Sequence, residues 1–177
     1  FPNAIKQYDN AVKLSDKDAI VFNNRGKAKL STGDAAGSVA DFDKAIQLNP
    51  GYSKAILNRG TAKFGLQDFG GAADDLEKAK GSEGESADVL KMLGISKYKL
   101  NQKDAAKAYL ENAIKAGVKD GKVMLFAGYL RYDGNDFKGT VDALTAAEMA
   151  GEKEDGVYEK RGKSSYQLKQ YPAAIID

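Results

Sequence analysis

Ser38-Val39-Ala40-Asp41-Phe42-Asp43-Lys44-Ala45-Ile46-Gln47-Leu48-Asn49-Pro50-Gly51-Tyr52-Ser53-Lys54-Ala55-Ile56-Leu57-Asn58-Arg59-Gly60 holds the end of one helix pair and the start of the next. Val39, Phe42, Ala45, Ile46 and Leu48 recur at helical spacing, and Asn49-Pro50-Gly51 interrupts the helix. Ser53 stands where a side chain can cap a new helix carrying Ile56, Leu57 and Gly60. The stretch predicts two short antiparallel helices. Its closing glycine recurs as Gly26, Gly60, Gly94, Gly128 and Gly162, each 34 residues from the next. A fixed period of that size is the signature of a repeat architecture.

Other columns keep the same period when each unit is counted so that this glycine is its eighth residue. The twentieth column reads Ala4, Ser38, Ala72, Ala106, Thr140 and Ala174; the twenty-fourth reads Tyr8, Phe42, Leu76, Leu110 and Leu144. The twenty-seventh is Ala11, Ala45, Ala79, Ala113 and Ala147. Small residues let two helix backbones approach, and a large one fills the gap between neighbouring pairs.

The 177 residues suit one array, because repeats bury their core against neighbours and not in one centre. Hydrophobic residues at 42% can supply that core, and 29% charged residues suit a body with much surface. The net charge of +2 gives no field that calls for nucleic acid or an anionic membrane. With no cysteine and no histidine, disulfides, thiol chemistry, the usual zinc sites and histidine bases are excluded. The cytoplasm is the default compartment, and a periplasmic or other extracytoplasmic one is equally compatible with the lack of cysteine. No apolar run approaches the roughly 18 residues of a membrane span, and the first residues do not read as a signal peptide.

The fold class expected is all-α, a right-handed superhelical solenoid of antiparallel helix pairs. Residues 1–18 hold the second helix of a unit, 19–52, 53–86, 87–120 and 121–154 are full units, and 155–177 is a truncated one. Phe1-Pro2-Asn3-Ala4 precedes Tyr171-Pro172-Ala173-Ala174 by 170 residues, five whole periods, so both mark the same helix start. The chain is thus read as a fragment of a longer array. Its ends are expected to expose Ile5, Val12, Ile175 and Ile176, a route to self-association. Helices are expected at about 19–32, 35–48, 53–66, 69–81, 87–100, 103–116, 121–133, 137–150 and 155–168. Asp18, Ser53, Ser86 and Asp120 are candidate caps for first helices, and Asp34, Asp68 and Asp136 for second helices. Gly37, Gly70, Gly71 and Gly139 each cost about 1 kcal/mol against alanine in an early helical turn.

Phe22-Asn23-Asn24-Arg25-Gly26, Ala40-Asp41-Phe42-Asp43-Lys44-Ala45-Ile46-Gln47-Leu48-Asn49-Pro50 and Leu57-Asn58-Arg59-Gly60 carry a resemblance to the tetratricopeptide repeat family, and it covers the whole chain. Two columns depart from the family. The eleventh reads Lys29, Lys63, Lys97, Arg131 and Ser165, with the large residues one place later as Leu30, Phe64, Tyr98, Tyr132 and Tyr166. Only Pro50 keeps the family's closing proline. The resemblance implies a non-enzymatic scaffold or adaptor whose first helices line a concave face, with the second, fifth, ninth, twelfth and thirteenth columns offered to an extended peptide.

On those columns Lys27, Lys54, Lys91, Lys99, Lys122 and Lys163 stand against Asp88, Asp133 and Glu159, a surplus of three positive charges. Aromatic residues and Leu30, Leu57, Ile95 and Leu125 lie between them. The expected ligand-binding residues are Lys54, Phe64, Lys91, Tyr98, Lys122, Tyr129 and Tyr132, over residues 53–134, facing a protein or peptide with acidic and apolar side chains. Aromatic residues recurring every 34 positions are ordinarily packing residues, whereas Tyr129 breaks its column and is the stronger functional candidate. Asn24 and Lys54 match two positions of the family's chaperone clamp, but Asn58 stands where that clamp has arginine.

No catalytic, cofactor or metal residues are predicted. Asp74-Asp75 and Glu152-Lys153-Glu154-Asp155 read as solvated faces, since sequence neighbours on a helix diverge. Asp133-Gly134-Asn135-Asp136 lacks the order of a calcium loop and reads as a turn. Two alternatives are an accessory array that positions a separate domain or assembly, and single-stranded RNA binding through lysine and tyrosine. Near-neutral charge argues against RNA.

Overall fold

The structure, a computed structural model, describes residues 2–177; Phe1, expected at a helix start, lies outside the described residues. It contains eleven helices and no strand among those residues: α1 (Pro2–Leu14), α2 (Ala19–Ser31), α3 (Ala35–Leu48), α4 (Ser53–Gly65), α5 (Phe69–Glu83), α6 (Ala87–Lys99), α7 (Lys103–Lys115), α8 (Gly121–Asp133), α9 (Phe137–Met149), α10 (Asp155–Gln167) and α11 (Tyr171–Ile176). The chain divides into two compact units, one ending at Glu85 and one beginning at Ser86. In the first, α2 packs on α3 and α4 on α5; in the second, α6 packs on α7, α8 on α9 and α10 on α11. None of these helices is long and apolar enough to cross a membrane.

The turn inside each pair is built the same way five times. Its fifteenth-column residue takes positive φ: Gly33 (87°), Gln67 (62°), Asn101 (57°), Asn135 (60°) and Lys169 (61°). The next residue's N–H then bonds back over the helix end, as Asp34 does to Lys29 and Asp136 to Arg131, satisfying carbonyls the helix leaves orphaned. Three units then start the second helix with an aspartate cap: Asp34, Asp68 and Asp136 accept the N–H of Gly37, Gly71 and Gly139 at 2.8, 3.0 and 2.9 Å. A Cβ on those glycines would lie 2.1 to 2.3 Å from the capping carboxylate, so glycine is the condition for the cap. In the unit starting at residue 87, Gln102 makes no side-chain cap and Ala105 replaces the glycine. Ser53 does not cap α4: it is the helix's first residue, Tyr52 holds the cap position, and the Ser53 hydroxyl turns to Gly51 O.

The repeat period is a packing rule. A Cβ on Gly26, Gly60, Gly94 or Gly128 would meet Phe42, Leu76, Leu110 or Leu144 at 2.5 to 3.0 Å, and those four large side chains are fully buried. Ala45, Ala79, Ala113 and Ala147 are likewise sealed. At the start of the first unit Val12 packs against the cluster of Phe22, Ala45 and Ala55, so Val12 is half-buried and not exposed as expected. Ile5 is also half-buried, because α1 lies on α2. Ile175 and Ile176 are exposed.

An arginine–aspartate clamp recurs in three of the repeats. Arg25 grips Asp41 through Nε (2.9 Å) and Nη2 (2.6 Å), Arg59 grips Asp75 (2.7 and 2.6 Å), and Arg161 grips Asp177 in the same bidentate way. Each guanidinium also reaches the preceding second helix, at Asp9, Asp43 and Glu148. Asp75 is therefore only 4% exposed, held also by Lys63 at 2.9 Å, which corrects its expected place on a solvated face. Asp74 beside it is exposed. The eleventh column finds its use here as well: Lys29 joins Asp41 at 2.8 Å, and Arg131 takes Glu111 bidentately.

Candidate functional site

In the second unit α6 touches α8 directly and α8 touches α10, so the three first helices form one continuous face. Ile95 and Leu125 are only 6% and 3% exposed; both belong to the core and not to the surface expected for them. What remains accessible is aromatic and charged.

Tyr98, half-buried, stacks on Phe126 with centroids 4.1 Å apart and planes 12° apart, and the Lys99 ammonium lies 5.0 Å from the Phe126 centroid. On α8, Tyr129 and Tyr132 are three residues apart and share a face. The Tyr129 hydroxyl donates to Glu154 Oε1 at 2.5 Å. It also fills the space a Cβ would need at Gly156, 2.4 Å away, so α10 can approach only because position 156 is glycine. Tyr132 rests edge-on against Phe137 at 6.4 Å. The Lys160 ammonium spans both rings, 5.4 Å from Tyr129 and 4.6 Å from Tyr132. A shallow cleft of about 420 Å³ opens beside Tyr132 between Asp133, Lys163 and Tyr166.

The lysines are less free than their columns imply. Lys91 stands 3.6 Å from Asp120 and 3.9 Å from Asp88, Lys163 pairs with Glu159 at 2.5 Å, and Lys103 with Asp133 at 2.6 Å. Lys122 is exposed. Asp120, Glu152 and Glu154 enter from the inter-repeat turns, outside the five columns, and offset the lysine surplus in this unit. Burial raises the Tyr129 phenol far above its ordinary range, and the bond to Glu154 adds to it. Burial also raises Tyr98, with the charge of Asp133 next.

In the first unit Lys54 is exposed, and Phe64 is half-buried, edge-on to Phe69 at 5.9 Å. Phe64 and Tyr132 thus have packing roles at the turn of their own helix pair, whereas Tyr98 reaches across to the next first helix. Asn58 donates to the buried Asn23 at 2.9 Å, a structural link between repeats. Sequence reasoning missed Phe126, Glu154, Gly156 and Lys160. Of these only Gly156 left a sign, a glycine in the second column where its counterparts are Ile20, Lys54, Asp88 and Lys122.

Gly156→Ala should displace the Tyr129 hydroxyl and break its bond to Glu154. Followed by NMR, the Tyr129 ring should titrate well above about 10 in the native chain and return toward that ordinary value in the variant. An unchanged titration would mean that α10 does not press on this phenol.

Comparison with family models matches residues 1–53 and 91–156 to the one described as tetratricopeptide repeat. A search of curated proteins finds no match. Among solved structures the chain is similar to YrrB, described as "a TPR protein with an unusual peptide-binding site", at 21% identity and TM-score 0.74, over 94% of this chain and 86% of that one. It is similar to MamA at 16% identity and TM-score 0.72, over 88% and 85%. PilF of Pseudomonas aeruginosa gives 13% identity and TM-score 0.69, over 98% and 81%. At these identities the likeness is one of fold.

Proposed function

The chain belongs to the tetratricopeptide repeat family, whose helical repeats generally serve as non-catalytic scaffolds for protein–protein interaction, and from that premise we propose that it holds an extended peptide on the first-helix face of its second unit. The observation that carries this reading is the aromatic set Tyr98, Tyr129 and Tyr132. Each ring is fixed by partners of its own chain, yet each stays half-buried, with surface left to cover. Rings ordered before binding lose little entropy when a ligand lands on them, which suits them as anchors. Lys91 and Lys122, toward the N-terminal ends of α6 and α8, supply polar contacts that orient the chain of the ligand. In the first unit, taken by itself, Lys54 and Phe64 are proposed as contacts of the same kind.

The two kinds of contact separate by salt. For a bound peptide, Tyr129→Ala should cost about 1 to 2 kcal/mol at any ionic strength, whereas Lys122→Ala should weaken binding mainly at low salt. Isothermal titration at two salt concentrations measures both. Binding that survives the triple change of Lys91, Lys122 and Tyr129 to alanine would place the site elsewhere.

A further inference from the structure

We propose that the Tyr129–Tyr132 pair receives a cationic side chain, a lysine or arginine of the bound segment, in the place that Lys160 occupies in this structure; this rests on the reading of the face as a peptide-binding surface. The Lys160 ammonium forms no ion pair among the described residues, although Glu159 is its neighbour in sequence. Instead it lies over two phenol rings, 4.6 and 5.4 Å from their centroids, the geometry in which a cation is drawn to the negative face of a ring. Tyr129 is prepared for that role. Its hydroxyl donates to the Glu154 carboxylate, which pushes electron density into the ring.

The surroundings favour a cation over an anion. Beyond what burial does, Glu154 and Glu152 raise the Tyr129 phenol, and Asp133 and Glu154 raise Tyr98 against the opposing charge of Lys103. Lys163 is already matched to Glu159 and Lys103 to Asp133, so an incoming carboxylate would have to break those pairs or pull the Lys160 ammonium off the two rings. An incoming ammonium or guanidinium has only to displace Lys160, a half-buried side chain on a flexible stem. The ring pair is also within reach of an extended ligand, since Tyr132 borders the cleft beside Lys163 and Tyr166. The same face that anchors a peptide by its rings would thus select one with a basic residue at this position.

An internal competitor lowers apparent affinity by the fraction of time it occupies the site, so removing it should tighten binding. The test is a random-peptide display library panned against the full chain and against Lys160→Met, which keeps an apolar stem without the charge. Selected peptides should carry lysine or arginine at one position and bind the variant about two- to fivefold more tightly than the native chain, the range expected for one cation on exposed rings. Replacing that basic residue by norleucine should abolish the gain, and Tyr132→Ala should remove the preference. Peptides that depend on Tyr129 but carry no basic residue, or that bind Lys160→Met no better, would overturn the inference and leave the scaffold reading standing. If no selected peptide depends on Tyr98, Tyr129 or Tyr132, both fall. Matching thermal unfolding of the native chain and Lys160→Met shows that the comparison is between folded proteins.

Discussion

Valine in place of Gly94 is expected to destabilise the second unit by about 3 kcal/mol or more, and alanine by up to about 2 kcal/mol. Two terms compete. Alanine in a helix interior is better than glycine by about 1 kcal/mol, while overpacking a tight crossing costs about 1 to 3 kcal/mol. At Gly94 the added Cβ would meet Leu110 Cδ2 at 2.7 Å, its Cγ at 2.8 Å and its backbone nitrogen at 3.0 Å. A side-chain rotation can relieve the first two contacts, but the third is relieved only by moving α7 off α6. Valine adds two methyl groups to that clash and has a poorer helix propensity than alanine. Gly81, in α5 with nothing within 4 Å of its Cβ position, is the control: Gly81→Ala should stabilise by up to about 1 kcal/mol. Because repeats unfold by segments, amide exchange is the sharper measurement, and the loss at Gly94 should concentrate in α6 and α7. If Gly94→Ala behaves like Gly81→Ala, the glycine column has no packing role.

The fold was legible because one physical contact is repeated. Gly26 on Phe42, Gly60 on Leu76, Gly94 on Leu110 and Gly128 on Leu144 are the same small-on-large crossing, so the columns record it four times. The site is harder to read because its residues differ between repeats. Phe64, Tyr132 and Tyr166 find an aromatic partner at the start of their own second helix, in Phe69, Phe137 and Tyr171. Lys103 occupies that place in the unit of Tyr98, and Tyr98 turns to Phe126. Periodicity alone gives one fate to all four. The inter-repeat turns were also outside any column argument, and from them come Asp120 and Glu154, which set the charge and hold Tyr129. The arginine network could have been read: Arg25, Arg59 and Arg161 share one column, and Asp41, Asp75 and Asp177 another. It is masked by the two middle units, which carry Leu93 with Tyr109 and Ala127 with Ala143 at the same places.

That difference between units bears on the other large effect, at Asp75. Asp75→Ala is expected to cost about 2 to 3 kcal/mol, less than the 3 to 5 kcal/mol of breaking a fully enclosed pair. The discount follows from Arg59 and Lys63, whose side chains are each 21% exposed and can turn toward water when the carboxylate is gone. Arg59→Ala should be of similar size for the opposite reason, since it leaves a carboxylate that is only 6% exposed with Lys63 alone. The double change Arg59→Leu with Asp75→Tyr copies what the unit at 87–120 already carries and should restore most of the loss, as an apolar pair often can for an ion pair. Acid distinguishes the ionic term from packing. Burial by itself raises the Asp75 carboxyl, but hydrogen bonds from Arg59 and Lys63 outweigh it and hold the group below the ordinary carboxylate range. A lowered value in the folded chain means that the unfolded chain binds the proton first. The contribution is therefore complete above about pH 4 and disappears as pH falls through the lower folded value. Urea unfolding from pH 6 to pH 2 should show that loss in the native chain and a flatter profile in Asp75→Ala and in the double variant. Parallel profiles would mean that Asp75 is held by packing and not by its charge.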